Sequence, residues 1–203
     1  MPQKRPKVNL TYEKTAWGNG FNLVAGVDEA GRGPLAGPVV ASAVILKNAD
    51  FTERIDDSKK LTAAQRDRAY QEITQKAIYA VGVVGNYTID KINIANATIV
   101  AMKRALFNLR VRPDFVLIDG ILKIGYNAPC EYIKSGDAKS LSIAAASIIA
   151  KVTRDNIMFS YNKKYPGYNF IAHKGYGTRK HFYIIHKKGP CAIHRKSFLT
   201  RLG

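Results

Sequence analysis

The sequence predicts an α/β domain, with a central sheet flanked by helices and a helical region at its carboxyl end. Short apolar runs rich in β-branched residues alternate with longer segments of helical spacing, which is typical of this class. The chain has 203 residues, of which 46% are hydrophobic, so it can fill one core of moderate size. Neither an internal repeat nor a Ser/Gly linker divides it, and we expect one main domain.

The first two predicted strands flank a turn. Residues 23–27 form a short apolar run that ends at Asp28, and residues 39–46 form a longer run. The turn between them holds several residues that break regular structure: Gly31, Gly33, Pro34, Gly37 and Pro38. Glycines at such a turn let the backbone approach a ligand closely.

Two helices and a third strand are predicted next. Thr62 can cap a helix over residues 63–76, and residues 78–87 have the composition of a strand. A second helix is predicted over residues 93–109, because its apolar side chains follow helical spacing and Pro113 prevents continuation.

The second half of the chain completes the sheet. Residues 115–118 are an apolar run that Asp119 ends, the pattern of a buried strand with a carboxylate at its tip. Residues 131–134 can form a short strand. Residues 140–159 have the spacing of a helix, and their small side chains would let that helix pack closely against the sheet.

The two ends of the chain differ from this core. Residues 1–20 are predicted to be a basic, mobile extension, and residues 21–203 form the main domain. Residues 167–177 are the predicted loop between the core and a basic, helical C-terminal part that covers about residues 166–203. From residue 156 onward there are ten Lys and Arg and no acidic residue.

The charge balance favours a polyanionic partner. Lys and Arg number 32 against 15 Asp and Glu, a formal net charge of +17. Nucleic acid is the first candidate and an anionic membrane surface the second. From residue 161 onward the chain also holds eight Tyr and Phe, whose rings can stack on bases and sugars.

Other classes are disfavoured by the sequence. Cys130 and Cys191 show no Cys-x-x-Cys spacing, which argues against a disulfide framework or a structural zinc site. No apolar run reaches the length of a membrane-spanning helix, and the first residues do not resemble a secretory signal. We expect a soluble, cytoplasmic protein.

Four of the few carboxylates occupy unusual places. Asp28 and Glu29 follow an apolar strand, Asp119 ends another, and Asp137 lies just before a helix. Each alone could be an ordinary turn or cap residue. Together, in a chain that attracts polyanions, they predict a site for hard divalent cations such as Mg²⁺, which can promote attack on a phosphodiester.

These carboxylates lie within motifs that resemble those of type 2 ribonucleases H, the ribonuclease HII family. The first and longest motif is GVDEAGRGPLAGPVVA, and the others follow in the family's order. The matching segments are residues 26–41, 57–61, 116–120, 136–137, 142–155, 173–178 and 194–198. They span nearly the whole chain, from residue 23 to residue 198.

The resemblance implies a ribonuclease H-like fold with a mixed central sheet. It also implies that Asp28, Glu29, Asp119 and Asp137 hold two Mg²⁺ or Mn²⁺ ions. The family cleaves RNA in RNA–DNA hybrids and cuts on the 5′ side of single ribonucleotides in duplex DNA, which leaves 3′-hydroxyl and 5′-phosphate ends. Its usual task is to remove misincorporated ribonucleotides and primer remnants.

The resemblance further implies a set of substrate contacts. The turn of Gly31, Arg32 and Gly33 resembles the segment that recognises the 2′-hydroxyl at the junction between ribonucleotide and deoxyribonucleotide. Tyr176 matches the tyrosine that packs on the sugar there. A plain tight turn with a solvated arginine, and a core tyrosine, are the competing interpretations.

Phosphate contacts are implied as well. Ser58 and Lys59 look like contacts near the scissile bond. Four further cations could grip the nucleic-acid backbone or be ordinary surface charges: Lys151, Arg154, Arg195 and Lys196. Ser135 stands where the family often has a basic residue, which puts one local phosphate contact in doubt.

Two alternatives stay open. One is another nuclease of the same fold, such as a type 3 ribonuclease H, which typically does not cut at a single ribonucleotide. The other is a non-catalytic binder of RNA–DNA hybrids, which the complete carboxylate set disfavours because unneutralised carboxylates repel phosphate. We expect a monomer, and contact with a replication clamp is left open.

Overall fold

The computed structural model of the chain describes residues 8–199 and contains one five-stranded sheet. The strands are β1 (Val24–Ala30), β2 (Val39–Leu46), β3 (Ala77–Val84), β4 (Phe115–Asp119) and β5 (Cys130–Ile133). The helices are α1 (Thr11–Gly18), α2 (Ala63–Lys76), α3 (Asn86–Phe107), α4 (Leu141–Lys164), α5 (Phe170–His173), α6 (Arg179–Lys188) and α7 (Lys196–Leu199). This confirms the predicted α/β class with a mixed sheet and a helical C-terminal region.

The sheet order places the ends of two strands side by side. The order is β3-β2-β1-β4-β5, in which β1 and β2 form an antiparallel pair and β1 and β4 a parallel pair. In the parallel pair Val27 lies opposite Ile118. The residues that follow them, Asp28 and Asp119, therefore emerge at the same edge of the sheet.

Helices cover both faces of the sheet. Helix α4 packs on β1 and β2 from one side, and α3 packs on β2 and β3 from the other. Gly26 permits the close approach of α4, because a Cβ atom there would lie 2.2 Å from the Ser142 carbonyl carbon. The small side chains predicted to seat this helix, Ala144 to Ala146, are fully buried against the sheet.

Most predicted elements are confirmed, with shifted ends. Helix α2 has the predicted bounds, and Thr62 forms a capping box with Gln65. Helix α4 continues five residues beyond its predicted end. Strand β1 continues through Ala30, so Asp28 lies inside the strand, because pairing with β2 extends to Ala30.

The boundary between the third strand and the helix that follows it differs from the predicted one. The prediction of strand over residues 78–87 is wrong at its end, since helix α3 begins at Asn86. Within α3 the backbone is non-helical at Asn93, where φ is 64°. The Asn93 side chain accepts a hydrogen bond from the Asn96 amide at 3.0 Å, so the predicted helix start is a cap between two helical segments.

The amino-terminal segment differs from the expected mobile extension. Residues 11–18 form α1, and Glu13 on this helix is buried. Its Oε1 accepts hydrogen bonds from Ser140 Oγ at 2.6 Å and from the Ser142 amide at 2.9 Å. Helix α1 is thereby fixed to the start of α4, and residues 1–7 lie outside the described part of the chain.

The predicted loop over residues 167–177 contains the single helical turn α5. Helices α6 and α7 follow it and form the helical C-terminal region as far as Leu199. Within residues 8–199, no helix combines the length and the apolar character needed to cross a bilayer.

Candidate active site

Three aspartates from separate parts of the chain meet at one edge of the sheet. Asp28 comes from β1, Asp119 ends β4, and Asp137 lies in a 3₁₀ turn, Gly136–Ala138, between β5 and α4. One carboxylate oxygen from each lies within 4.8 Å of those of the other two. The fold thus brings together residues from distant parts of the sequence, with Asp28 and Asp137 more than a hundred positions apart.

Hydrogen bonds fix these carboxylates only in part. Asp28 Oδ1 accepts from the Glu29 amide at 2.7 Å. Asp119 Oδ1 accepts from the Gly136 amide at 2.6 Å, which ties the end of β4 to the turn that carries Asp137. Each of these two carboxylates therefore retains oxygen lone pairs with which it can act as a ligand.

The electrostatics of the cluster favour a cation. Burial raises the pKa of Asp28 well above its usual range, and the charges of Glu29 and Asp119 add to this shift. Burial also raises the pKa of Asp119, with a further contribution from Asp137. Negative charge thus accumulates where it is poorly solvated, and a hard divalent cation with oxygen ligands would relieve that repulsion.

Glu29 stands beside this group. Its Oε1 lies 3.3 Å from Arg32 Nη1, and it is not one of the three converging carboxylates. Burial raises the pKa of Glu29, while the charge of Arg32 acts in the opposite direction. The structure therefore gathers three of the four predicted carboxylates and places the fourth next to them in an ion pair.

Lys59 supplies a positive charge at the cluster. Its Nζ lies 3.2 Å from Asp137 Oδ2 and 3.5 Å from Asp57 Oδ1. Burial acts to lower the pKa of Lys59, but the attraction of Asp137, with those of Asp57 and Asp28, leaves it raised. The Lys59 side chain is 76% exposed, so it can also contact an anionic group that binds next to the cluster.

An open cavity of about 350 Å³ lies against the cluster. Its walls include nine of the ten predicted site residues: Asp28, Glu29, Gly31, Arg32, Gly33, Ser58, Lys59, Asp119 and Tyr176. The tenth, Asp137, reaches this site through its contact with Lys59. The residues predicted from separate motifs thus surround one space.

Several side chains in these walls have defined partners. Ser58 is buried and its hydroxyl accepts a hydrogen bond from Ser147 Oγ at 2.9 Å. Tyr176 is 45% exposed, and a Cβ atom on Gly33 would lie 3.8 Å from its ring. Tyr176 is therefore a wall residue that faces the glycine-containing turn, and the core-tyrosine interpretation is wrong.

Two wall residues come from one face of α4. Ser147 and Lys151 stand four positions apart on this helix and both border the cavity. Ser147 was not identified from the sequence, although it lies in a matching motif; its position one turn before Lys151 is the signal that could have found it. Lys151 forms an ion pair with Asp155 at 2.8 Å.

The suggestion that Arg154 and Arg195 grip nucleic acid is wrong. They are 1% and 0% exposed, and their guanidinium groups donate to backbone carbonyls inside the protein. Lys196 is exposed at the surface and stays a predicted contact.

A larger groove, of about 640 Å³, lies between α3 and residues 190–196. Asp90 is its one acidic wall residue, and both oxygens of Asp90 accept hydrogen bonds from the amides of Lys196 and Ser197. Divalent-metal binding, which requires several converging carboxylates, is therefore expected at the smaller cavity and not in this groove.

Comparisons with known proteins agree with this assignment. The family model described as Ribonuclease HII matches residues 25–201. Ribonuclease HII of Geobacter metallireducens is 53% identical over 93% of this chain and 89% of its own, and that of Acetivibrio thermocellus is 55% identical over 92% and 73%. The crystal structure of ribonuclease H2 from Pyrococcus horikoshii matches with a TM-score of 0.71 and 28% identity, over 87% of this chain and 93% of that one. The chain therefore belongs to the ribonuclease HII family.

Proposed function

We propose that this protein is an endoribonuclease that hydrolyses the RNA strand of RNA–DNA hybrids. It also cuts on the 5′ side of single ribonucleotides in duplex DNA and leaves 3′-hydroxyl and 5′-phosphate ends. The observation that carries the proposal is the convergence of Asp28, Asp119 and Asp137 in a chain of net charge +17. The basic surface attracts a polyanion, whereas the three carboxylates repel it. Cations bound between the carboxylates would remove this repulsion.

The proposed cofactors are two divalent ions, Mg²⁺ or Mn²⁺. Asp28, Asp119 and Asp137 would hold them, and Glu29 is the fourth ligand in this proposal, released from its ion pair with Arg32. The oxygen-only donor set fits hard cations. When bound, such ions polarise the phosphodiester and provide a nucleophilic hydroxide at neutral pH.

The residues of the chain itself orient the substrate. Lys59 is exposed and adjacent to the cluster, so we assign it to the phosphate near the scissile bond, with Ser58 beside it. The backbone of Gly31, Arg32 and Gly33 would contact the ribose 2′-hydroxyl, which is the group that separates RNA from DNA. Tyr176 would pack on the adjacent sugar.

We assign this activity to residues 21–203 together with α1, which packs on them, and we assign a biological role in removing ribonucleotides and primer remnants from DNA. The proposed form is a monomer in the cytoplasm. Both cysteines are free, as in a protein of a reducing compartment.

A labelled DNA duplex with one embedded ribonucleotide tests the proposal. Protein purified away from host nucleases should nick it on the 5′ side of the ribonucleotide in Mg²⁺ or Mn²⁺, and EDTA should abolish the cut. Asp28→Asn should be inactive, whereas Asp67→Asn, at an exposed carboxylate on α2, should match the wild type.

Each alternative has its own outcome in this assay. Cleavage of a continuous hybrid but not of the single-ribonucleotide duplex would favour a type 3 activity. Tight binding with no cleavage of either substrate in both metals would favour a non-catalytic binder and contradict the proposal.

A further inference from the structure

Two buried arginines determine the backbone path of residues 31–38, which we name the glycine-rich loop. Arg195 has 0% exposure and lies beneath this loop. Its side chain donates to three carbonyl oxygens of the loop: Gly31 at 2.6 Å, Arg32 at 2.9 Å and Gly37 at 3.0 Å. Its own amide donates to the Leu35 carbonyl at 2.8 Å. One residue thus fixes the loop at both ends and in the middle.

Arg154 extends the same arrangement to Tyr176. From helix α4 it donates to the carbonyls of Pro38 at 3.0 Å and Ala36 at 3.2 Å. Its remaining terminal nitrogen donates to the Lys174 carbonyl at 3.0 Å, and its guanidinium carbon lies 5.8 Å from the centre of the Tyr176 ring. Arg154 therefore connects the glycine-rich loop to the segment that carries the exposed tyrosine.

The two guanidinium groups depend on this loop for their own stability. Within residues 8–199, neither forms an ion pair with a carboxylate. Burial and the charge of Arg154 lower the pKa of Arg195 to about 9, which leaves it protonated at neutral pH. Since the loop carbonyls supply most of the hydrogen-bond acceptors for these two buried like charges, beside the aromatic rings of Tyr176 and Phe198, the charges and the loop conformation stabilise each other.

The arginines also decide which way the peptide groups of the loop face. In a planar trans peptide the carbonyl and the following amide point in opposite directions, and the described residues contain no cis peptide. The carbonyls of Gly31 and Arg32 point to Arg195, so the amides of Arg32 and Gly33 point away from it. Those residues line the cavity beside the aspartates.

We propose that Arg154 and Arg195 are positioning residues for ribonucleotide recognition, an inference that rests on the proposed function. They contact neither substrate nor metal. By holding the loop carbonyls inward they present its amides to the ribose 2′-hydroxyl, and through Lys174 they keep Tyr176 at a set distance from those amides.

Binding measurements can isolate this role. In an Asp28→Asn background, which binds without cutting, affinities are compared for two duplexes of one sequence, with a single ribonucleotide and with DNA only. The background should prefer the ribonucleotide. Arg195→Lys and Arg154→Lys should each reduce that preference roughly tenfold, the worth of one or two hydrogen bonds, and change the affinity for all-DNA duplex less than about twofold.

The matched control is Arg104→Lys. Arg104 also donates to a backbone carbonyl, that of Val83 at 2.7 Å, but it lies on α3 beside the distant edge strand β3. It should leave the preference unchanged. A purely structural role for Arg154 and Arg195 would lower both affinities in parallel with the folded fraction, and the preference for the ribonucleotide would stay constant.

A second variant covers the case in which the lysine variants do not fold. Gly37→Ala leaves both arginines in place, but it puts a Cβ atom on a residue whose φ is +85°, a conformation that L residues rarely adopt, and crowds Met158, so the loop is strained and should shift. This variant should also weaken the preference. If the folded variants keep the full preference, the positioning role is overturned while the proposed function stands; if the background itself shows no preference and the wild type does not cut, both fail.

Discussion

The aspartate cluster and the arginine pair both gather like charges beside the glycine-rich loop, yet they are built in opposite ways. Every donor-bearing nitrogen of Arg154 and Arg195 meets a backbone carbonyl. Asp28 is held by the Glu29 amide and Asp119 by the amides of Gly136 and Asp137, yet the pKa values of both carboxyl groups are raised. Charges that the protein satisfies shape its backbone, whereas charges that it leaves unsatisfied mark the place of a ligand.

Glu13 shows that the difference between the aspartate cluster and the arginine pair does not follow from the sign of their charges alone. This buried carboxylate accepts three hydrogen bonds on Oε1 from Ser140 and Ser142, while no described residue bonds to its Oε2. One oxygen of Glu13 therefore has hydrogen-bond partners, as the arginine pair does, and the other has none among the described residues. We expect Glu13 to have a structural role.

The largest expected effect is on activity at the aspartates. Asp28→Asn should lower cleavage at least about 10³-fold, because metal-assisted charge stabilisation is worth several kcal/mol. Its free energy of unfolding without metal should be unchanged or higher, since a repulsive charge is removed. Initial rates and urea denaturation measure the two quantities, with Asp67→Asn as the control. A large loss of stability would mean that the folded protein stabilises the Asp28 charge, as it does the charges of Arg154 and Arg195.

The next effect is on stability at the arginines. Arg195→Met should lower the free energy of unfolding by roughly 3 kcal/mol or more, because it leaves two buried carbonyls and one partly buried carbonyl without this donor. Arg104→Met, which removes one exposed contact, should cost about 1 kcal/mol or less. Urea denaturation at pH 7.5 checks both. Equal, small losses would show that the arginine pair is not a satisfied structural centre.

The histidines beneath Tyr176 should make the stability depend on pH below pH 7, where both arginines stay protonated. His181 donates through Nδ1 to the Tyr176 carbonyl at 2.8 Å and accepts through Nε2 from His194 at 3.1 Å, an arrangement that requires neutral rings. Burial lowers the pKa of His181 to about 4. A lowered pKa means that stability is complete above the unfolded-state value near 6.5 and is lost as the pH falls towards 4.

Between pH 7.5 and 5 we therefore expect the wild type to lose about 2 kcal/mol more than His181→Asn does. The comparison with this variant removes the contribution of the carboxylates, whose raised pKa values act in the opposite direction. His186→Asn, at an exposed position on α6, should keep the wild-type dependence. Identical pH profiles for the wild type and His181→Asn would contradict the neutral-pair arrangement.

The smallest effect concerns Glu13. Glu13→Gln should lower the free energy of unfolding by about 1 kcal/mol, since neutral hydrogen bonds replace charge-assisted ones at the start of α4. Cleavage activity should stay within about twofold of the wild type. A folded variant that loses activity would mean that α1 contributes to the site itself.

Much of the site could be predicted because its residues lie in contiguous motifs at the ends of apolar runs. Asp28 and Asp119 were placed at the tips of strands, and the parallel pairing of β1 with β4 brings them together. The break at Asn93 was also visible, as a helix start. What precedes it, a short helical segment from Asn86, was hidden by a strand-like composition.

The remaining features depend on contacts between distant segments. Arg195 stands in the basic C-terminal part and Arg154 just before it, so a surface role was the expectation for both, and only the three-dimensional path of the glycine-rich loop explains why they point inward. Glu13 likewise became part of the domain through Ser140 and Ser142, more than a hundred residues away. Local pattern carries no information about such partners.

Thermal unfolding with and without Mn²⁺ tests most directly whether the aspartate cluster binds metal while the arginine pair stabilises the fold. At 100 times the dissociation constant, bound metal should raise the melting temperature of the wild type by roughly 5–10 °C. Arg195→Lys should melt lower but keep this rise, and Asp28→Asn should lose most of it. An equal rise in the wild type and Asp28→Asn, or none in the wild type, would contradict the assignment of the aspartate cluster as the metal centre.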